Sequence, residues 1–98
     1  MTITAAEVKQ RLDNNEVLNI IDVREPYEYE ESNIPSATNI PLGNIPMQID
    51  ELEHLKDKEV IMQCRSGARS AAAQQFLISA GFTNVKNMEG GIIAYHSL

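Results

Sequence analysis

Cysteine occurs once in this sequence, at Cys64, and tryptophan does not occur at all. A single cysteine excludes an internal disulfide, a Cys-x-x-Cys redox pair and a cysteine-built zinc site. His54 and His96 are too few and too far apart in the chain to replace one, so neither metal nor cofactor is expected. Aromatic residues are only 5% of the 98, so the core must rest on Ile, Leu, Val, Met and Ala, which the 43% apolar content allows. No apolar run approaches the roughly 18 residues that a membrane-spanning helix needs. The opening Met1-Thr-Ile-Thr-Ala-Ala-Glu7 lacks the basic-then-apolar order of a signal peptide. A cytoplasmic location without a membrane partner is therefore expected. Bases are scarce, eight against 14 acids, and the net charge of −6 argues against a nucleic-acid partner. The length suits one domain, residues 1–98.

The charge is unevenly spread. Thirteen of the acids and five of the bases lie in residues 1–59, whereas from Val60 to Met88 the only charged residues are Arg65, Arg69 and Lys86. Such a segment either holds a local anion site or simply forms core with its arginines in water.

Thr4-Ala-Ala-Glu7 has the form of a capping box, and Val8 and Leu12 give the helix behind it a buried face. Leu18–Val23 reads as a strand buried on both sides. Pro26 starts a short helix running to Glu31, and Thr38–Ile40 is extended. Ile45, Ile49, Leu52 and Leu55 predict an amphipathic helix over 44–55. Glu59–Gln63 is a second buried strand, and the helix after it ends at Ala80 with Gly81 at C′. Phe82–Asn87 reads as a further strand, Glu89-Gly-Gly91 as a turn and Ile92–Ser97 as a last helical turn or two. Alternating strands and helices imply an α/β fold with parallel strands and right-handed crossovers. Ligands in such sheets sit beyond the carboxyl ends of the strands, and Cys64 lies at such an end.

A thiol is a good nucleophile at neutral pH only if its pKa falls below about 8.5. Amides at the start of a helix near Ala68–Ser70 could curl round the sulfur and ionise it. Gly67 permits the angles required, and the small Ser66 and Ala68 leave the centre open. Ser70 closes the loop, while Arg65 and Arg69 add positive charge. The same amides would hold an oxyanion in front of the thiolate. The alternative is an inert buried cysteine, the common fate of a lone one.

Cys64-Arg-Ser-Gly-Ala-Arg-Ser70 resembles the active-site loop of the rhodanese (thiosulfate sulfurtransferase) family. Asp22-Val-Arg-Glu-Pro-Tyr-Glu-Tyr-Glu30, Asn33-Ile-Pro-Ser-Ala-Thr-Asn-Ile-Pro-Leu42 and Gly81–Tyr95 are similar to its other signatures, in order and at family spacing. Asn33, Ser36 and Tyr95 depart from the family's usual His, Gly and Trp. The resemblance implies a rhodanese-like fold, a small parallel sheet with helices on both faces. It also implies sulfur transfer: Cys64 takes the outer sulfur of a small anion such as thiosulfate, becomes a persulfide, and passes that sulfur to cyanide, a thiol or a protein cysteine. Arg65 and Ser66 through Ser70 would bind the anion, though Arg69 could instead brace the loop. Asp22 and Arg24 either support the site or form a structural ion pair. With no second domain to build a deep pocket, the loop should be open to solvent.

Two other functions fit parts of the pattern. A phosphatase or arsenate reductase also uses a cysteine–arginine loop, but its relatives carry one residue more than the four between Cys64 and Arg69. A persulfide carrier serving one protein partner would use the same loop with little activity on free thiosulfate.

Overall fold

Thr4 ends the first element and caps the second. Its hydroxyl accepts the Glu7 amide at 3.0 Å, and the Glu7 carboxylate accepts the Thr4 amide at 3.4 Å. The computed structural model describes residues 1–98. β1 (Thr2–Thr4), which the sequence reading left unassigned, runs into α1 (Ala5–Asp13), then β2 (Ile20–Asp22), α2 (Pro26–Glu31) and β3 (Thr38–Asn39). After two 3₁₀ segments flanking α3 (Ile45–Gln48) come β4 (Val60–Gln63), α4 (Ala68–Ser79), β5 (Val85–Glu89) and α5 (Gly91–His96). All strands are parallel, in the order β1-β5-β4-β2-β3.

Successive strand residues point to opposite faces, so the apolar runs feed two cores. Ile21 and Met62 join Ile45, Leu52, Ala73 and Leu77 on the α3–α4 face. Ile20 and Ile61 join Val8, Ile34, Met88 and Ile92 on the α1–α5 face. Each fully buried Ile or Met contributes about 1.5–3 kcal/mol relative to exposure. This two-sided burial is why β2 and β4 read as continuous apolar runs.

Two expectations are corrected. Residues 44–55 are helical, but Ile49–Leu55 is a 3₁₀ helix rather than the tail of an α-helix. Ile49, Leu52 and Leu55 recur every three residues, the period at which side chains eclipse on a 3₁₀ turn. Phe82 is not in the last strand. Its amide reaches back to the Leu77 carbonyl at 3.0 Å while the Gly81 amide meets that of Ile78, closing α4 in a Schellman motif. Gly81 stands at C′ with φ +97°, and β5 starts four residues later, at Val85.

Glu59, just before β4, ties three elements together. It accepts Arg11 of α1 at 2.7 and 3.0 Å and Lys86 of β5 at 2.6 Å. The Arg11 hydrogen bonds, with help from Lys86, hold its carboxyl at about 2 against an ordinary 4.5, although partial burial works the other way. The folded value lies below the unfolded one, so the stabilisation is present above the unfolded value and lost as pH falls through the folded one. Urea denaturation of Glu59→Gln at pH 7 should show a loss of about 1–2 kcal/mol. That difference from the unmodified protein should shrink between about pH 5 and pH 3.

Candidate active site

β4 ends at Gln63, and the chain turns sharply through Cys64–Gly67 into α4. Gly67 makes the turn with φ +119°, a region closed to most side chains. The turn brings the loop's donors to the sulfur: the Gly67 amide lies 3.0 Å from Cys64 Sγ and the Ser70 hydroxyl 3.3 Å.

The carbonyls at the start of the loop are engaged elsewhere. The Cys64 carbonyl accepts the Ile92 amide at 2.9 Å and the Gln63 side chain at 3.0 Å. That of Arg65 accepts the Ile93 amide at 3.2 Å. The first turn of α5 thus holds the oxygens of the loop on the side away from the sulfur. Gly91 makes the approach possible, because a Cβ there would sit 2.5 Å from the Cys64 carbonyl oxygen and closer still to that of Arg65.

Burial pushes the Cys64 thiol pKa up. The Ser70 hydroxyl and the amides of Ser70, Gly67 and Ser66 outweigh it, and the net shift is downward from the ordinary 9.0. The loop is exposed at Arg65, Ser66 and Ala68, but Cys64 itself is only 1% exposed. The expected open loop is therefore an exposed rim above a recessed sulfur. An apolar core lies beneath it, yet the buried Ser70 hydroxyl and the Gly67 amide reach the sulfur.

Arg65 is exposed and makes no ion pair. It borders a cleft of about 410 Å³ together with Arg24, Glu28, Ile92, Ile93 and His96. Arg69 is committed to Glu28 of α2, with both terminal nitrogens on the two carboxylate oxygens at 2.6 and 2.9 Å. Those bonds hold the Glu28 carboxyl at about 2 despite partial burial. Glu28 also accepts the Glu25 amide at 3.0 Å, capping the helix that carries it.

Asp22 and Arg24 form a buried pair at 2.7 Å, and Arg24 continues to the Ser32 carbonyl at 2.7 Å, stapling β2 to the end of α2. Neither bonds to the 64–70 loop. His96 faces Ser32 at 3.3 Å, and His54 lies beside a different pocket. No group of three His, Cys, Asp or Glu side chains could hold a metal ion. Three residues that shape the loop escaped the sequence reading: Glu28, Asn87 and Gly91. Asn87 of β5 accepts the Ser70 hydroxyl at 2.6 Å and donates to the Gly67 carbonyl at 3.1 Å. The doubled glycine at 90–91 was the only local signal for any of them.

Residues 4–98 match the rhodanese-like domain. The chain belongs to the rhodanese-like family. A sulfurtransferase of Allochromatium vinosum is 39% identical over 93 residues, 95% of this chain and 85% of that protein. The tRNA uridine(34) hydroxylase of Yersinia pestis is 36% identical over 97 residues, which are 95% of this chain but 27% of that protein. The rhodanese-like segment there is part of something longer. The crystal structure of a rhodanese-related protein from Thermoplasma volcanium aligns with a TM-score of 0.84 at 33% identity, over 98% of this chain and 90% of that one. The three departures from the rhodanese pattern lie away from the sulfur. Asn33 donates to the Tyr29 carbonyl at 2.9 Å, Ser36 is exposed, and Tyr95 packs on the α1–α5 core.

Gly91→Ala should force the Cys64–Arg65 backbone aside. The expected results are a loss of about 1–3 kcal/mol in denaturation and slower iodoacetamide alkylation of Cys64 at pH 7. Gly43→Ala, where an added Cβ meets nothing within 4 Å, should leave both unchanged.

Proposed function

We propose that the chain moves a sulfane sulfur from thiosulfate to a nucleophilic acceptor through a persulfide on Cys64. The observation that carries this reading is the sulfur receiving an N–H at 3.0 Å and an O–H at 3.3 Å while the carbonyls of Cys64, Arg65 and Gly67 are bonded elsewhere. In the first half-reaction the Cys64 thiolate attacks the outer sulfur of thiosulfate. An S–S bond forms, the bond to the sulfonate sulfur breaks, and sulfite leaves with the electron pair. The enzyme keeps one negative charge, now on the outer sulfur of Cys64–S–S⁻. In the second, cyanide or a thiolate takes that sulfur and returns the pair to Cys64 Sγ, completing ping-pong covalent catalysis. The donors that lower the thiol pKa favour the thiolate, which attacks without a general base in this reading.

The amides of Ser66, Gly67 and Ala68 and the Ser70 end of the loop bind the anion in this reading. Arg65, without an ion-pair partner beside the cleft, steers the doubly charged donor. Arg69 is the brace that fixes the start of α4 to α2 through Glu28, and Asp22–Arg24 supports α2 from beneath. The exposed rim suits a thiol or a protein cysteine as acceptor, because a persulfide extends the reactive atom outward from a recessed Sγ.

Thiosulfate:cyanide transfer, transfer of labelled sulfur to a protein thiol, and p-nitrophenyl phosphate hydrolysis should be measured side by side. Activity in the first two and none in the third is expected. Transfer to a protein thiol alone would make the chain a persulfide carrier, and phosphate release would overturn the reading. Cys64→Ser should lower sulfur transfer by roughly a thousandfold or more with an unchanged melting curve. Mass spectrometry after thiosulfate treatment should find one added sulfur atom on the unmodified protein and none on the variant.

A further inference from the structure

Ser70 Oγ carries one hydrogen and has three acceptors within reach: Asn87 Oδ1 at 2.6 Å, the Gly67 carbonyl at 3.1 Å and Cys64 Sγ at 3.3 Å. The Gly67 carbonyl already receives the Ala71 amide at 3.0 Å and Asn87 Nδ2 at 3.1 Å, which fills both of its lone pairs. The same Nδ2 bond sets the orientation of the Asn87 carboxamide. Turned over, its oxygen would face the carbonyl oxygen of Gly67. Asn87 therefore presents an acceptor to Ser70, and the hydroxyl hydrogen is shared between that oxygen and the sulfur. Ser70 is fully buried, so water cannot supply a second donor.

We propose that Asn87 is a positioning residue for Cys64, its carboxamide oxygen taking the Ser70 hydrogen whenever Sγ is neutral and yielding it whenever Sγ is charged. A neutral sulfur is a weak acceptor and an amide oxygen a good one, so the hydrogen rests on Asn87. A thiolate is a charge-assisted acceptor and draws the hydrogen to itself. The persulfide stage rests on the sulfur-transfer reading above. There the charge has moved to the outer sulfur, Sγ is neutral again, and the hydrogen returns to Asn87. Ser70 thus follows the charge through both half-reactions, and no buried hydroxyl hydrogen is stranded at any point. Arg69 on α4, tied to Glu28 on α2, is a charged group that interacts with the sulfur, and Arg65 points outward. The apolar core packed around Cys64 (Ile21, Ile45, Ala73 and Val85) offers no hydrogen-bond donor, and the buried Gln63 side chain is turned to the Cys64 carbonyl. The hydroxyl is accordingly the donor whose aim the neighbouring side chains can change.

The test is the pH midpoint of Cys64 alkylation by iodoacetamide, read in four proteins: unmodified, Asn87→Ala, Ser70→Ala and the double variant. Asn87→Ala removes an acceptor that favours the neutral thiol, so its midpoint should fall by about half a unit to one unit. Ser70→Ala should raise the midpoint, and adding Asn87→Ala to it should produce no further change. Asn87→Leu, of similar size and without charge or acceptor, should lower the midpoint as Asn87→Ala does. A rise in Asn87→Ala, or an equal shift with and without Ser70, would overturn the proposal by assigning Asn87 a purely structural role. If Asn87→Ala fails to fold, the Asn87→Leu shift decides, and the absence of a downward shift overturns the proposal. Alkylation needs no sulfur donor, so a protein inactive with thiosulfate would still give these midpoints.

Discussion

Everything at the site depends on which way six peptide groups face. A loop of this length carries as many carbonyl oxygens as amide hydrogens, and a thiolate surrounded by both would gain nothing. The first turn of α5 breaks that symmetry by donating the Ile92 and Ile93 amides to the Cys64 and Arg65 carbonyls. At the other end of the loop, the Gly67 carbonyl is held by Asn87 and by the Ala71 amide, which closes the first turn of α4. With these three oxygens occupied, the amides of Ser66, Gly67 and Ser70 are left to act on Cys64. The Cys64 thiol pKa is thus lowered chiefly by neutral groups, with Arg69 paired to Glu28 and Arg65 exposed to solvent.

The scaffold explains why this arrangement holds its shape. α4 is fixed along its length by Ala73 and Leu77 in the core and by the Schellman motif at its end. The bidentate Arg69–Glu28 pair anchors its first turn to α2. α2 is stapled to β2 by the buried Asp22–Arg24 pair and the Ser32 carbonyl. Each tie carries little energy by comparison with the cores. Their value is geometric, because a shift of a few tenths of an ångström at Gly67 would lengthen the short bond to the sulfur.

Most of the fold was legible because its signals are local. Thr4 and Glu7 are three residues apart, Gly81 directly follows its helix, and β2 and β4 announce themselves as apolar runs. The 64–70 loop was legible for the same reason, its donors being contiguous with the cysteine. What escaped lies where one residue's role is set by a distant one. Glu28 reads as an ordinary helix-start acid until Arg69, 41 residues later, is brought against it. Asn87 reads as a polar strand residue until β5 lies beside β4. Phe82 looked like strand because aromatic residues favour strands, but the helix C-terminus claimed its amide first. The three-residue spacing of Ile49, Leu52 and Leu55 was visible, and it fits a 3₁₀ turn better than an α-helix.

The strand order also bears on how the molecule is made. β5 lies between β1 and β4, so β1 and α1 have no place in the sheet until residues 85–89 exist. A chain emerging from the ribosome can pair β2, β3 and β4 early, but it leaves one edge of β4 bare throughout. The residues that close that edge are followed at once by the turn of α5 that aims the loop. Sheet completion and the anchoring of the loop carbonyls therefore arrive together, and a chain without residues 85–98 exposes the bare edge of β4 before its cysteine loop is held in place.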